Sequence, residues 1–523
     1  MTLQPTRRTF LGSALVAGVA SAWNQGTVRH ILPTANHQRF LVKVSVAEPL
    51  ARPPVLLAAG NKYTALRTDT EGHYWSFDVG GLKPATSHDL SLSDAHGKRL
   101  CDPWPLKTLP HPDERVSRFR LMVYTCAGGN EAQRLDSGQQ YWVSVHHRRK
   151  LFEAGLALQP DAMVAIGDHV YWDQRFARAG MGASPWFLQY MGGAFQRDIP
   201  VLGTPNEQKM KRAVTPQIVD LYGTLFRSTP THFIQDDHDY FENDEAIASG
   251  ISFPPDDFMM RLARATQSMY YPEHLPNADR PLGLAGASAG DRGPGLSECY
   301  GTLRFGRAAE LLLYDCRRFQ TLKGPHATLV TEDAEAWLVR RMKDSPCAHV
   351  VNMPSMPIAW SAGKWGEWYP DVLGENGMIG TAKPKYFWQE GWKRQHDRLL
   401  AASSAMKRVP VFLSGDLHAL AHGKIHASRK LDLRRNPVNA VLTGPISTGP
   451  RGWPSAARGT PPQVATGIEI DQTLAPLENN GFTIADFFPE RIEFQQFRWK
   501  IGQPESALDR MTPFHKFTLT PVG

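Results

Sequence analysis

The sequence predicts an α/β fold preceded by a small β-sandwich, and three observations predict it. First, short apolar runs stop at turns that carry acids and histidines. Ala-Met-Val-Ala-Ile (162–166) precedes Gly167-Asp168, His-Phe-Ile (232–234) precedes Gln-Asp-Asp-His-Asp (235–239), and Val-Phe-Leu (411–413) precedes Ser-Gly-Asp-Leu-His (414–418). A fourth run, Leu-Met-Val-Tyr (121–124), ends in Thr125-Cys126. Runs of this length read as buried strands, and in open α/β sheets ligands bind at the carboxyl ends of strands. Second, strand-like and helix-like segments mix from about residue 118 onward, whereas 28–110 shows strand alternation and turns. Third, 523 residues exceed what one hydrophobic core sustains, so at least two folded units are expected.

The start of the chain reads as an export signal. Thr6-Arg7-Arg8-Thr9-Phe10-Leu11 is a twin-arginine pattern, Leu11 to Ala20 is mildly apolar, and Ala20-Ser21-Ala22 offers small residues for cleavage before Trp23. Residues 1–22 are therefore expected to be a signal peptide, with the twin-arginine translocation machinery as a partner and a periplasmic or secreted product. An apolar run of about ten residues is too short to cross a bilayer and no later run reaches ~18, so no integral membrane segment is expected in the mature chain.

Composition is that of an ordinary soluble globular protein: 42% hydrophobic, 21% charged, mean hydropathy −0.36. The net charge is +7, or roughly +5 without Arg7 and Arg8. That is too weak a bias for a dedicated nucleic-acid binder, although it favours anionic substrates. The five cysteines show no C-x-x-C spacing, which removes zinc-finger and thioredoxin-type readings. If Cys126 is set aside as a metal ligand, the other four allow three disulfide connectivities.

Residues 28–110 read as the sandwich. Phe40 to Val46 and Tyr74 to Val79 alternate, and turns rich in Gly and Asp punctuate them. Leu82-Lys83-Pro84-Ala85-Thr86-Ser87-His88 is similar to the Leu-x-Pro-x-Thr-x-Tyr corner of fibronectin type III-like domains, with His88 where the tyrosine would stand. An unrelated β-meander is the other reading of the same stretch. A link containing Pro103, Pro105, Pro110 and Pro112 leads into the catalytic region, 118–523. There, residues 136–158 carry a helical apolar spacing (Tyr141, Val145, Leu151, Leu156). Thr331 is a suitable N-cap before Trp337-Leu338-Val339, with Glu332, Asp333 and Glu335 at the positive helix start. Stretches 174–230 and 276–296 have loop compositions and read as insertions or lids.

The acid-bearing turns carry the chemistry. Gly167 permits a sharp exit from a strand, and Asp168 has two oxygens with which to bridge two cations. Tyr171, three residues on, returns to the same side. Asp236-Asp237-His238-Asp239 is too polar for a core strand, and its acids repel one another unless a cation neutralises them. Asp416 and His418 alternate and can point to one side. Bridged cations about 3.5–4 Å apart stabilise both the attacking and the leaving oxygen of a displacement. Thr125 and Ser414 lie nearby, but neither sits in a nucleophile elbow.

The ordered set Cys126, Gly167-Asp168-x-x-Tyr171, Asp236-Asp237-His238-Asp239 and Ser414-Gly415-Asp416-x-His418 resembles the PhoD-type alkaline phosphatase/phosphodiesterase family, within the calcineurin-like metallophosphoesterase superfamily. The resemblance extends over nearly the whole chain. It includes the twin-arginine signal, a small N-terminal β domain, Asp315-Cys316-Arg317 in place of an Asp-Thr-Arg element, and Trp337-Leu338 in the helix before the next core strand. What it implies is a four-layer αββα core with ferric iron and calcium at the strand ends. By position, Cys126, Asp168, Tyr171 and His418 would form the iron shell with Asp168 bridging, and Asp237 and Asp416 the calcium side. His238 would protonate the leaving group or steady the phosphate, and Asp168 and Arg317 would share the catalytic work. A tyrosinate ligand would hold the iron in its oxidised state, as a Lewis acid.

The implied activity is single-step phosphoester hydrolysis by a metal-activated hydroxide, on a mono- or diester substrate. A phospholipase-D-like or teichoic-acid phosphodiesterase is the alternative, and a non-catalytic phosphate- or glycan-binding protein the third. The chain departs from the family pattern at Gln235, where Trp is usual, and at Asp239, where Glu is usual, and Asn243 stands where an Asn pair is usual. Arg317 reads either as a phosphate contact or as the ion-pair partner of a neighbouring acid. Asn352 reads as a loop hydrogen-bonding residue or as a further oxygen ligand. His422 and His426 follow His418 at helix-like spacing, as solvated or supporting groups.

Overall fold

The computed structural model describes residues 23–131, 142–172, 189, 191–240, 246–247, 250–251, 255–275, 277, 296–321, 326–361, 390–449, 455 and 461–521. The export pattern, most of the stretch 276–296, Tyr141 and Asn243 lie outside them.

Two four-stranded antiparallel sheets come first. One runs in the order β1 (Val28–Ala35), β2 (Phe40–Val46), β6 (Tyr74–Val79), β5 (Leu66–Arg67). The other runs β4 (Asn61–Thr64), β3 (Val55–Ala58), β7 (Ser87–Ser93), β8 (Trp104–Lys107). Alternation explains the pairing: β7 buries His88, Leu90 and Leu92 and turns Ser87 and Asp89 outward. Their apolar faces share a core with Trp75, Phe77 and Trp104. At the corner, His88 packs edge-on against Phe40, and its Nε2 has no hydrogen-bond partner among the described residues.

The region from Phe119 onward is mixed α/β and sheet-rich. Its first sheet runs β11 (Thr231–Ile234), β10 (Ala162–Ile166), β9 (Phe119–Thr125), β24 (Asn480–Phe488), β25 (Arg491–Trp499), β26 (His515–Leu519). The second runs β14 (Tyr300–Phe305), β15 (Ala309–Tyr314), β16 (His349–Pro354), β18 (Val411–Ser414), β21 (Val438–Thr443), β19 (Leu420–Ser428), β20 (Leu431–Asp432), with β23 (Ile468–Leu477) also on β19. Two short pairs, β12 (Ala246–Ile247) with β13 (Gly250–Ile251) and β17 (Trp360–Ser361) with β22 (Gln463–Val464), lie apart from these sheets. Strands β9, β10 and β11 are mutually parallel, as are β15, β16, β18 and β21.

Successive strand residues face opposite ways, which builds the layers. Leu121, Val123, Val164 and Ile166 of the first sheet meet Leu311, Leu313, Val351 and Leu413 of the second in one apolar core. Met122, Tyr124 and Met163 point outward onto helices α1 (Val145–Leu156), α2 (Pro205–Tyr222) and α3 (Asp257–Tyr270). Leu312, Val350 and Phe412 point outward onto α4 (Glu332–Asp344) and α5 (Glu390–Ser404). The layers are therefore helices, sheet, sheet, helices. Thr331 caps α4, its hydroxyl accepting from Ala334 N–H, and three acids occupy the first turn. The N-terminal sheets dock on α2 and the end of α3 through buried charges. Lys43 pairs with Glu273 at 2.8 Å, both side chains 2% exposed, and Lys211 reaches Asp69 and Glu207 at 2.8 Å.

Three sequence expectations are corrected. Residues 205–222 form helix α2 rather than loop, because Met210, Val214, Ile218 and Leu221 make a buried stripe that Pro216 and the surrounding polar residues obscure. The helix expected over 136–158 begins at Val145, capped by the Ser144 hydroxyl. His422 and His426 lie on strand β19, where spacing by four also returns a residue to the same face. All five cysteines are buried, and none is joined in a disulfide among the described residues. Among the described residues no helix is long and apolar enough to cross a membrane.

Candidate metal centre

The carboxyl ends of β9, β10, β11, β15 and β18 open onto one edge. Ile166 is level with Thr125 and with Ile234 in the register, so the turns after three parallel strands leave the sheet side by side. The second sheet reaches the same place. Thr125 N–H donates to the Gly444 carbonyl at 3.0 Å, Ile446 N–H to the Thr125 carbonyl at 3.0 Å, and Ser447 N–H to the Cys126 carbonyl at 3.0 Å. The turns interlock with no room to spare. A Cβ on Gly167 would lie 2.3 Å from Asp236 Cβ, and one on Gly415 would lie 2.2 Å from Thr125 Oγ1.

Ligand-type side chains converge there. Cys126 Sγ donates to Asp168 Oδ2 at 3.2 Å, and Tyr171 Oη donates to the same oxygen at 2.7 Å. His418 Nε2 lies 3.1 Å from Tyr171 Oη and 3.6 Å from Asp168 Oδ2. Three triads, each with ligand atoms within 4.8 Å of one another, form a chain: Cys126, Asp168, His418; then Asp168, Asp237, His238; then Asp236, Asp237, Asp416. Asp168 belongs to the first two and Asp237 to the last two. The backbone is forced as well as the side chains. Cys126, Asp168, Asp416 and His418 all have positive φ, at 49°, 56°, 65° and 51°, and such strain clusters at functional sites.

Electrostatics test whether these residues fit a cation. Asp168 Oδ1 and Asp236 Oδ2 are buried without a hydrogen-bond partner among the described residues. Burial, followed by the charges of Asp237 and Asp236, pushes the Asp168 carboxyl well above the usual range. Burial likewise drives Asp236 well up against the opposing pull of Arg317. The Cys126 thiol and Tyr171 phenol are raised well above their ordinary values, first by burial and then by Asp168. A thiol, a phenol, an imidazole and several carboxylates with unused lone pairs suit one or two cations better than any arrangement of protons.

Other residues hold the set in place, and sequence reasoning missed most of them. Asp239 accepts from His169 N–H at 2.8 Å and Val170 N–H at 3.2 Å through one oxygen, and from Asp236 N–H at 3.0 Å through the other. It braces the Asp168 turn against the Asp236 turn. Gln217 of α2 accepts from Gly129 N–H at 2.6 Å and Tyr171 N–H at 2.8 Å. Arg148 of α1, fully buried, donates to the carbonyls of Ala127, Gly128 and Gly129, each at 2.9 Å. Thr448 Oγ1 lies 3.1 Å from His418 Nδ1, which leaves Nε2 to face the cluster. Arg148 hides in the run His-His-Arg-Arg-Lys (146–150), and Gln217 and Thr448 carry no sequence signal at all.

The remaining expected residues fall as follows. His238 is partly exposed in a short 3-10 turn, its ring 4.3 Å from that of Tyr171. Asp416 is also partly exposed, so these two mark the open side. Arg317 is fully buried, with Nε 2.5 Å from Asp236 Oδ1 and Nη2 3.3 Å from Asp416 Oδ2. Asn352 stands mid-strand in β16 and donates to Met342 Sδ of α4 at 3.4 Å, away from the strand ends, because its side chain faces the helix layer.

A family model described as PhoD-like phosphatase matches residues 135–494. No curated protein matches the chain. Among solved structures, that of PhoD is similar over 97% of this chain and 92% of its own, with a TM-score of 0.61 and 15% identity. A purple acid phosphatase isolated from yellow lupin (Lupinus luteus) seeds is similar over 95% of this chain and 75% of its own, with a TM-score of 0.53 and 12% identity. At these identities the two likenesses speak for the fold.

Proposed function

The chain belongs to the PhoD-like phosphatase family, and from that premise we propose that it is an exported, metal-dependent hydrolase of phosphate mono- or diesters. The observation that carries the reading is the chain of three ligand triads joined through Asp168 and Asp237 at the strand ends. Cys126, Tyr171 and His418 would hold ferric iron with Asp168, and Asp237 and Asp416 would hold calcium. Cations bound there would supply Lewis-acid stabilisation of the phosphoryl group and acidify an attacking water.

The chain's own residues do the rest. Asp168 is shared between the two ligand groups. His238, on the open side, hands a proton to the leaving alkoxide. Arg317 balances Asp236 and Asp416 so that the acid cluster does not repel the phosphate outright. Thr448 fixes the tautomer of His418. Export rests on Arg7-Arg8 and Ala20-Ser21-Ala22. The fibronectin type III-like kinship of the N-terminal unit rests on its two antiparallel four-stranded sheets and the Leu82 to His88 corner.

The test is hydrolysis of a chromogenic phosphomonoester and the matching diester by purified mature protein, with and without calcium, beside elemental analysis and an Asp168→Ala control. Calcium-dependent turnover, bound iron and a dead variant are expected, and the ratio of the two rates assigns the preferred ester. Absence of any bound metal would overturn the reading.

A further inference from the structure

Gln235 and Tyr240 flank the Asp236–Asp239 acids, and neither is a metal-ligand type in this setting. Both are buried. Gln235 Nε2 lies 3.1 Å from Tyr271 Oη, and Gln235 Oε1 lies 3.2 Å from Tyr240 Oη. The Tyr240 hydroxyl also hydrogen-bonds Asp315 Oδ2. One hydroxyl proton cannot serve both acceptors, and the carboxylate is the stronger. A half-turn of the Gln235 amide settles the conflict, since it exchanges the acceptor and donor ends of the side chain. Tyr271 then donates to Gln235, Gln235 to Tyr240, and Tyr240 to Asp315.

Asp315 uses its other oxygen to close a turn. Oδ1 accepts from Arg317 N–H at 2.7 Å and Arg318 N–H at 3.1 Å. That turn sends the two arginines apart: Arg318 to buried Glu298 at 2.6 Å, and Arg317 to Asp236 and Asp416. Asp236 is the residue after Gln235, so the bonds form a closed ring, Gln235 to Tyr240 to Asp315 to Arg317 and back to Asp236. The ring joins the end of β11 in one sheet to the end of β15 in the other, with Asp416 beyond β18 as a side arm.

We propose that Gln235, Tyr240 and Asp315 are positioning residues that fix Arg317 between Asp236 and Asp416, and so set the spacing of the acid-bearing turns contributed by the two sheets. Only the kinetic readout of this inference rests on the hydrolase reading. Without the ring, the 3.3 Å contact to Asp416, longer than the 2.5 Å contact to Asp236, is the one expected to loosen. Gln235 and Tyr240 are thus a matched pair, and the departure of Gln235 from the family pattern is compensated within the ring.

A double-mutant cycle between Tyr240→Phe and Arg317→Lys, read in kcat against KM, tests this, because residues that act through one another couple whereas independent ones simply multiply. Tyr240→Phe keeps the buried ring and removes one hydroxyl. It is expected to lower kcat roughly tenfold with KM within about twofold, and to cost no more than about twofold in the Arg317→Lys background. Effects that simply multiply would overturn the proposal. Gln235→Met provides a second arm and should behave as Tyr240→Phe does. A crystal structure of Tyr240→Phe decides the matter even for a protein that turns over no ester. Arg317 released from Asp416 supports the ring; Arg317 still on both acids at unchanged distances refutes it.

Discussion

Replacing Asp239 with asparagine tests how the two acid turns are held together. The substitution keeps size and shape but converts one acceptor oxygen into an NH2 group. If the amide oxygen stays with His169 and Val170, the new NH2 meets Asp236 N–H head-on, across what is now a 3.0 Å hydrogen bond. Burial pushes the Asp239 carboxyl up to about 8, so the lost bond is counted as an ordinary one at about 0.5–1.5 kcal/mol, and stranding a buried donor at about 1–3 kcal/mol. One relaxation of the turn relieves both, so the expected net loss is about 2–4 kcal/mol. For a catalytic region of this size that lowers the apparent melting temperature by roughly 3–5 °C. The catalytic effect should be larger, since a shift of about 1 Å at reacting groups costs on the order of 10²-fold in rate. Thermal melts followed by circular dichroism, beside ester turnover, read both quantities. A variant that melts within about 1 °C of the parent and keeps its turnover would show that Asp239 is not the brace.

Two further predictions follow from buried neighbours. Thr448→Val removes the partner of His418 Nδ1 and should lower metal retention or turnover by about 10–100-fold, read by elemental analysis and kinetics; parent-like values would refute the orienting role. Burial holds His30 down to about 4 and both His232 and His396 to about 3. A histidine whose folded value lies below its unfolded 6.5 adds stability that is complete above that pH and is lost as pH falls from 6.5 toward the folded value. Denaturation midpoints should therefore drop between pH 7.5 and pH 5. His30→Gln should shallow the slope by about one proton, and a flat profile would refute the burial argument.

The catalytic strands were legible because each is a short apolar run closed by a turn residue, and Asp168, Asp237, Asp416 and His418 could be read from those turns. What escaped reading is long-range or isolated. Strand β24 enters the first sheet beside β9 from more than 350 residues downstream, and local pattern carries no information about that pairing. Gln217 and Arg148 sit on helices, where one polar residue looks like part of a solvated face until the neighbouring loop is seen to need its donors. Helix α2 reads as loop in the sequence because Pro216 lies inside it, yet the apolar stripe on either side is regular. His422 and His426 show the limit of spacing by four, which suits a helix face and a strand face equally.

The centre also predicts its own response to cation removal. Two unfavourable terms meet at Asp168: positive φ, shared with Cys126, Asp416 and His418 and costing roughly 1–2 kcal/mol each where the side chain is not glycine, and like charges buried together, shared with Asp236. Neither term is relieved by packing, since the turns already touch. Arg317 offsets only the Asp236 and Asp416 side, leaving Asp168 without a full counter-charge. A cation that binds the folded chain and not the unfolded one stabilises it by about 2.7 kcal/mol at one hundred times its Kd. Chelator-treated protein should therefore melt several degrees below the calcium-supplemented protein, and the Asp168→Ala variant should lose most of that difference. The variant without cation should lie close to the stripped parent in stability, because removing a buried acid from a crowd of acids offsets the hydrogen bonds that Cys126 and Tyr171 give to it. Equal melting of stripped and supplemented parent, or a stripped variant much weaker than the stripped parent, would mean that Asp168 is held by packing and that the strain at these turns serves something other than a cation.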